Sequence, residues 1–545
     1  MGFFYVELIS FLRCFIVKNS ILSYAQANVT VLHFCTGLNF GTVLHAFMVD
    51  SMADLYSADS SPTSLALQDF WEVPEQLPDA TQRLHRLVSK LYADLEIVSY
   101  PGCCWDYSRD SNILEVAILG AGQAGKSAAF GLRQQGISRV RIFDRRPVGR
   151  EGVWHDFARN ALLRSPKKVT GGLDWGIANL SFRRWCEACY GEAYWQRISY
   201  IPRPLWADYL DWYGQVLDLP IQNDTDVQDI SWNEAEQCFW LQAQHQGRPE
   251  CYKARFIIFA TGMACAGGKN IPAIVHQSLP AHAYYHTMDD INFASFAGKR
   301  VMIVGGGASA FDNALLLLKA GAKSVDISIR RSHLPNLNRI RWSEWNGYHR
   351  HYIDLPNEIK WFYSLSEFRL GQLPPAHTYH QAVKDSRFAL HTNAAIKRLS
   401  YRNEEIVGEY GTSDSFKTLY HDALICGTGF VNSLNRQPEL KTLSPYISRW
   451  QDHFTPPSGD EHIEMAQYPY LGKSLEFIPL TTEHSHLQRC YYLCCGSAFL
   501  SGFRANLTDL QFAVPRIIYD IGRQLFIEHQ DEIKADFEAY DKWEY

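Results

Sequence analysis

Two glycine-rich turns of one design, each followed by strand-end charge of opposite sign, carry most of the chemistry this chain can do. The first is Gly120-Ala-Gly122-Gln123-Ala124-Gly125, after the apolar run Ile113 to Gly120 and before a helix-forming stretch through Leu132. Its next strand-like run, Arg139 to Phe143, ends on Asp144 and Arg145. The second turn is Gly305-Gly-Gly307-Ala-Ser309-Ala310, after Arg300 to Val304; its next strand, Ser324 to Ile329, ends on Arg330 and Arg331. Glycines so spaced permit a tight turn and let backbone N–H groups approach a pyrophosphate, whose charge the helix N-terminus favours. An acid at the strand tip accepts hydrogen bonds from both ribose hydroxyls and repels a 2′-phosphate, whereas an arginine pairs with that phosphate. The pair therefore predicts one FAD site and one NADPH site. The plainer alternatives are a solvated acid at Asp144 and surface arginines at Arg330 and Arg331.

These turns need sheets to hold them. Arg255 to Ala260 reads as a short buried strand ending in Ala260-Thr261-Gly262, and Ala423 to Cys426 as another, ending in Gly427-Thr428-Gly429. Tyr491 to Cys495 is the last strand and Asn506 to Gln524 the closing helix. Leu84, Leu87, Val88, Leu91 and Leu95 recur at helical spacing, so Ala80 to Val98 is an amphipathic helix. The order predicts an α/β fold of two Rossmann-type dinucleotide-binding domains, the NADPH domain nested in a split FAD domain. The expected divisions are a leader or linker over 1–65, a helical extension over 66–111, and the first FAD part over 112–294. The NADPH domain then takes 295–395 and the second FAD part 396–545.

Composition narrows the class. With 545 residues there is room for several domains; a net charge of −6 gives no reason to expect nucleic acid or an anionic membrane as partner. The stretch from Phe3 to Tyr24 is apolar but broken by Glu7, Arg13 and Lys18, so it is not a membrane span. Translation is expected to start at Met48 or Met52, before the acidic and serine-rich stretch Asp54 to Ser64. Thirteen cysteines without a regular framework fit a reducing cytoplasm better than a disulfide scaffold. Cys186 and Cys189 form a CxxC that reads as packing, and no ligand set for a metal follows it. His282 and His286 read as loop histidines, and Asp289-Asp290 is not an acid/base pair, because neighbouring residues point apart.

Beyond the turns, the order of motifs from Ile113 to Gly522 resembles the flavin-containing monooxygenase superfamily. Gly152-Val-Trp154 stands where that superfamily has a glycine-aromatic turn against the flavin. Asp422-Ala-Leu-Ile-Cys-Gly427-Thr428-Gly429-Phe430 is similar to its late "D…ATGY" signature, with Gly427 for alanine and Phe430 for tyrosine. The "FxGxxxH" stretch keeps only its histidine in Pro280-Ala-His282-Ala-Tyr-Tyr-His286, a departure from the Baeyer–Villiger and the sulfur- or nitrogen-oxidising branches. Pro202-Arg203, Trp206, Asp208-Tyr209-Leu210 and Trp212 resemble the helix start of the ornithine and lysine N-hydroxylating branch. Arg164-Ser-Pro-Lys167-Lys168 stands for that branch's lysine segment. Arg164, Lys167 or Lys168 could each be the functional residue, with Lys167 or Lys168 expected at flavin or substrate; a solvated loop pair is the plainer alternative for the two lysines. This stretch also resembles a looser group that includes flavin-dependent urate hydroxylase and aspartate N-hydroxylase.

The resemblance implies an FAD- and NADPH-dependent monooxygenase that hydroxylates a small, polar, nitrogen-containing substrate with molecular oxygen through a flavin hydroperoxide. It leaves a homo-oligomer open. The expected cofactor residues are Gly120, Gly122, Gln123, Ala124, Gly125, Asp144, Arg145 and Trp154 for FAD. Gly305, Gly307, Ser309, Ala310, Arg330 and Arg331 are expected at NADPH, with Gly427 and Gly429 beside them. Two alternatives stand: a reductase passing electrons to another acceptor, and a non-catalytic redox-sensing flavoprotein. A disulfide reductase with its CxxC in the NADPH domain is a poor match, since no cysteine lies between Cys265 and Cys426.

Overall fold

The structure, a computed structural model, describes residues 73–98, 112–494, 499–503 and 507–545. The expectations for the leader, its start site and Cys495 lie outside the described residues. The chain opens with α1 (Ala80–Val98). It continues as β1 (Ile113–Leu119), α2 (Gln123–Gln134), β2 (Val140–Phe143), β3 (Leu162–Pro166), α3 (Phe182–Tyr190) and β4 (Tyr200–Pro202). Then come α4 (Arg203–Val216), β5 (Ile221–Gln222), β6 (Thr225–Asn233), β7 (Cys238–His245) and β8 (Arg248–Phe259). A second run holds β9 (Tyr284–His286), β10 (Arg300–Val304), α5 (Ala308–Lys319), β11 (Ser324–Ser328), α6 (Asn346–His351), α7 (Asn357–Leu370) and β12 (Phe388–His391). It goes on through β13 (Ala395–Arg402), β14 (Glu405–Gly411), β15 (Phe416–His421) and β16 (Ala423–Cys426); β17 (Cys490–Tyr492) and α8 (Leu507–Glu528) follow.

Helix α1 forms where its leucine spacing predicts. Leu87 and Leu91 are buried in the first core, with Leu84, Val88 and Leu95 packed at its margin. Arg83 ties it down by donating to the carbonyls of Glu187 and Ala188 at 2.9 and 3.1 Å, near the C-terminal end of α3. Cations suit that end, where carbonyls lack intrahelical partners.

The first sheet runs β5-β2-β1-β8-β7-β6, and β17 also pairs with β8. Strand β8 changes partner along its length. Residues 248–254 pair antiparallel with β7, and Ile257–Phe259 pair parallel with β17. Strands β5, β2, β1, β8 and β17 are thus parallel, and their carboxyl ends meet the turn Gly120–Gly125. Buried on both faces, such strands must be almost wholly apolar, as Val116–Leu119 and Phe256–Phe259 are.

The second sheet, β12-β11-β10-β16-β9, is parallel throughout. The antiparallel meander β13-β14-β15 covers it, and Leu399, Ile406 and Tyr410 share a core with Met302, Leu424 and Cys426. The order repeats the first unit: turn and helix between the first two parallel strands, then a meander, then a strand ending in a Thr-Gly turn.

One expected boundary is corrected. Strand β16 pairs with β10 from Val301↔Ala423 to Val304↔Cys426, so the second nucleotide unit keeps the chain to about residue 430, not 395. Strand β9 also belongs to it, before residue 295. The two connections between units run side by side. Asn270 N donates to Gly429 O at 3.1 Å, Val431 N to Gly268 O at 2.9 Å, and Ser433 N to Ala266 O at 2.8 Å. Gly267 is needed at this crossing, because a Cβ there would come within 2.5 Å of Val431 O.

Candidate cofactor and substrate site

The first turn is closed by backbone contact. Gly120 has φ +101°, and a Cβ on it would lie 2.5 Å from Ala260 O. A Cβ on Gly125 would lie 1.9 Å from Gly120 O, so the helix start tolerates no side chain there. Asp144, buried at the tip of β2, accepts from Ala121 N at 2.7 Å and Arg146 N at 2.9 Å. An ionised carboxylate offers about four acceptor positions, so roughly two remain for ribose hydroxyls. Burial pushes its pKa up, and the two backbone donors pull the other way. Arg145 beside it is exposed.

The glycine-aromatic turn lies against this site. A Cβ on Gly152 would meet Gly122 Cα at 3.2 Å. Trp154 is half-buried against the first core, and its carbonyl accepts from Arg203. Behind the turn, Lys126 is buried in α2 between Glu151 at 4.0 Å and Asp211 at 3.8 Å, and donates to Leu210 O at 3.0 Å. Burial lowers its pKa against the pull of both acids. Gly214 makes room for it, since a Cβ there would stand 3.4 Å from Lys126 Nζ. Gln123 turns its side-chain oxygen to Trp206 Nε1, 3.1 Å away, which fixes α2 against α4, and Ala124 lies in the core margin.

The second turn repeats the geometry. Gly305 has φ +114°, and a Cβ there would lie 2.3 Å from Gly427 O. Gly307 and Gly429 face open space, with nothing within 4 Å of an added Cβ. Such bare backbone at a helix N-terminus is the cradle a pyrophosphate requires. Ala310 is wholly buried, and a Cβ on Gly427 would come within 2.9 Å of its methyl. Ser309 is exposed on the first turn of α5. The two tip arginines differ: Arg330 is exposed and free of side-chain partners among the described residues, while Arg331 donates to Leu370 O.

The lysine segment corrects an expectation. Lys167 donates to the carbonyls of Trp195 at 2.5 Å and Gln196 at 3.3 Å, and lies 4.7 Å over the Trp195 ring. Its ammonium is committed to a helix C-terminus rather than to the turns, and Lys168 is exposed. The segment's other cation, Arg164, crosses between the units and pairs with buried Asp312 on α5 at 3.3 Å. Arg159 joins it, donating to Thr287 O at 2.6 Å, to Asn313 Oδ1 at 3.4 Å and to Asp289 O.

Sequence reasoning quoted Arg203 within a motif but gave it no role. Among the described residues its largely buried guanidinium has no acid partner and its Nε meets no acceptor, and burial lowers its pKa. The signal available was the Pro-Arg pair itself. His286, expected in a loop, is instead the buried last residue of β9, paired with Cys426 of β16. Nδ1 accepts from Met288 N at 3.1 Å, leaving Nε2–H for Gly429 O at 2.9 Å. Cys186 and Cys189 are buried in α3, and burial pushes both thiols up to about 12, so neither supplies the thiolate a disulfide reductase needs.

Residues 117–345 match the pyridine nucleotide-disulphide oxidoreductase family. Over 467 residues the chain is 34% identical to the FAD-dependent urate hydroxylase of Xanthomonas campestris pv. campestris, which covers 85% of this chain and 97% of that protein. The chain belongs to the flavin monooxygenases. Ornithine hydroxylase from Pseudomonas aeruginosa shares the fold at TM-score 0.60 and 15% identity, over 76% of this chain and 100% of its own. Ornithine N-hydroxylase from Kutzneria sp. 744 does so at TM-score 0.60 and 15% identity, over 76% and 99%. This flavin monooxygenase is thus an oxidoreductase of hydroxylase type, acting on a small molecule. The bare backbone at Gly120–Gly125 and the free acceptor positions of Asp144 fit a flavin dinucleotide at the first unit. No helix among the described residues is long and apolar enough to cross a membrane.

Proposed function

We propose that the chain hydroxylates urate or a closely related nitrogen heterocycle, using FAD at the first turn, NADPH at the second and molecular oxygen as co-substrate. The opposed tips, Asp144 with spare acceptor positions and Arg330 free of side-chain partners among the described residues, carry the cofactor half of this reading. The extent of likeness to the urate hydroxylase supports the substrate half. The balance is one substrate, one O2, one NADPH and one proton giving hydroxylated product, NADP+ and water. Bound FAD would accept the hydride and activate oxygen.

The chain's own residues bind, orient and exclude water. Gly120, Gly122 and Gly125 bring backbone N–H groups to the FAD pyrophosphate, with Asp144 on the ribose. Gly305, Gly307 and Ala310 do the same for NADPH, with Arg330 on its 2′-phosphate. Arg159 and Arg164 hold the units together and so set the distance between the two cofactors. Arg203, a cation without an acid partner among the described residues, would hold anionic charge where α4 begins beside the Trp154 turn.

The test is purification of the yellow protein, then NADPH oxidation with urate under 18O2. Incorporation of one labelled oxygen per NADPH supports the reading. Hydrogen peroxide as the sole product, with urate unchanged, refutes it.

A further inference from the structure

A buried histidine–aspartate pair stands outside both nucleotide turns. His349, on α6, places Nδ1 at 2.9 Å from Asp509 Oδ1, on the first turn of α8, and both side chains are 3% exposed. The contact is an ion-pair distance without hydrogen-bond alignment, since Asp509 Oδ1 meets no aligned donor among the described residues. A lone pair on Nδ1 so close to a carboxylate oxygen would still be repelled, so the proton belongs on Nδ1 and Nε2 presents the bare lone pair. That atom is buried and meets no hydrogen-bond partner among the described residues, and nor does Thr508 Oγ1 beside Asp509. In front lies a cavity of about 10 Å³, lined by Ser501, Phe503 and Leu475 as well as by the pair. It has the room of about one water molecule. Orphaned buried polar atoms on two elements require a polar occupant.

The pair sits at the carboxyl end of the first sheet. Strand β17 runs parallel to β8, and α8 then returns beside α2, where a Cβ on Gly131 would reach within 2.3 Å of Ile518 Cδ1. The first turn of α8 is therefore level with Gly120–Gly125, where ligands of such sheets bind. The segment after Lys168 also abuts it: a Cβ on Gly171 would lie 2.8 Å from Leu507 O. His349 itself comes from the other unit, in the insertion between β11 and β12. The ring stacks on Phe512 at 5.3 Å, and Arg516 donates to the carbonyls of His349 and Arg350.

We propose that His349 is a proton acceptor for the small-molecule substrate and that Asp509 is its positioning residue. This rests on the reading of the substrate as a nitrogen heterocycle with an acidic N–H. A single water in the cavity takes that proton while giving one of its own to Nε2. The ligand N–H bond breaks with its pair left on the ring, and an Nε2–H bond forms; no electrons are transferred. Asp509 holds the resulting imidazolium, and the proton leaves to solvent with product. A ring made electron-rich in this way is the better acceptor of an electrophilic oxygen atom. Among the described residues, the charged groups facing His349 are Asp509 and Arg516 from α8 and Arg350 from its own helix.

The test uses holoenzyme with urate as probe, comparing wild type, His349→Gln and Asp509→Asn. Anaerobic reduction of bound flavin by NADPH should stay within about twofold, while kcat/KM for urate falls about 10²-fold or more in His349→Gln. The acidic limb of the wild-type pH profile of kcat/KM should vanish with it. A retained limb with retained kcat/KM in His349→Gln overturns the proposal. Should a variant lose its flavin, 15N NMR of wild-type histidines decides: protonated Nδ1 with bare Nε2 supports the pair, and the reverse tautomer overturns it. Wild-type flavin that NADPH does not reduce, or urate left unchanged by a normally reduced flavin, refutes the proposed function instead. The tautomer measurement then still decides the pair.

Discussion

Two departures from the expected patterns, Ala310 for the third glycine and Gly427 for alanine, are one contact. A Cβ on Gly427 would stand 2.9 Å from Ala310 Cβ, against the 3.5–4.0 Å of an ordinary carbon contact. The first unit has the converse pair, Gly125 in the helix and Ala260 at the strand end. The methyl has changed sides. Gly427→Ala should therefore overpack the second turn, at about 1–3 kcal/mol. Because Gly427 is not among the glycines with positive φ, alanine also stiffens the unfolded chain, which returns about 0.4–1 kcal/mol. Ala310→Gly alone should cost about 1 kcal/mol as a glycine within a helix. In the double variant the clash has no second methyl, leaving contacts of 3.3 Å to Ala310 Cα and Val304 O.

A double-mutant cycle on NADPH dissociation, with thermal midpoints alongside, measures the coupling. If about 1–2 kcal/mol of the strain falls on the turn proposed to hold the pyrophosphate, Gly427→Ala weakens NADPH roughly 5- to 30-fold. The double variant should then bind no worse than Ala310→Gly. FAD content should be unaffected throughout, which separates this local clash from general unfolding. Additive losses in the double variant, or a Gly427→Ala protein like wild type, would show that the two positions do not answer each other.

Four further outcomes follow from the same geometry. Asp144→Asn loses at least one charge-assisted acceptor, so its FAD-to-protein ratio after gel filtration should drop, corresponding to about 1.5–3 kcal/mol; an unchanged ratio rejects the ribose assignment. Arg330→Ala should raise the KM for NADPH about 10- to 100-fold and leave NADH nearly unchanged, whereas Arg331→Ala, already committed to Leu370 O, should discriminate far less. Glu439 is held at about 7 by burial, above its ordinary 4.5, so its contribution to stability is full below about pH 4.5 and lost as pH rises through 7. That is about 3 kcal/mol, and the thermal midpoint of wild type should fall relative to Glu439→Gln between pH 5 and 8; a constant difference contradicts it. Lys167→Ala should leave kcat/KM within about threefold, and a loss near 10²-fold would return this lysine to the reaction.

What was legible in the sequence was local. The turn glycines, the strand-tip charges and the leucines of α1 each declare themselves within a few residues, and the structure places them at turns, tips and a buried face. The boundary at 395 failed for the opposite reason. Ala423–Cys426 is a four-residue apolar run that suits either parallel sheet, and only its pairing with Val301–Val304, over a hundred residues earlier, decides between them. Period and propensity carry no information about that choice.

Charged side chains were harder still, because spacing fixes where a Cα lies but not where a long side chain ends. Arg164 and Lys167 share one short segment, yet one crosses to Asp312 of the other unit and the other folds back onto the Trp195 carbonyl. The difference is in the partners. Asp312 is buried in α5 and would be costly to leave unpaired, whereas the carbonyls after Tyr194 lie at the open end of a short helix. A buried charge thus selects its counter-ion across the domain boundary, and the selection is visible only from the buried side. The same asymmetry hides His349 and Asp509 from the sequence: neither has a local pattern, and they meet only across the fold.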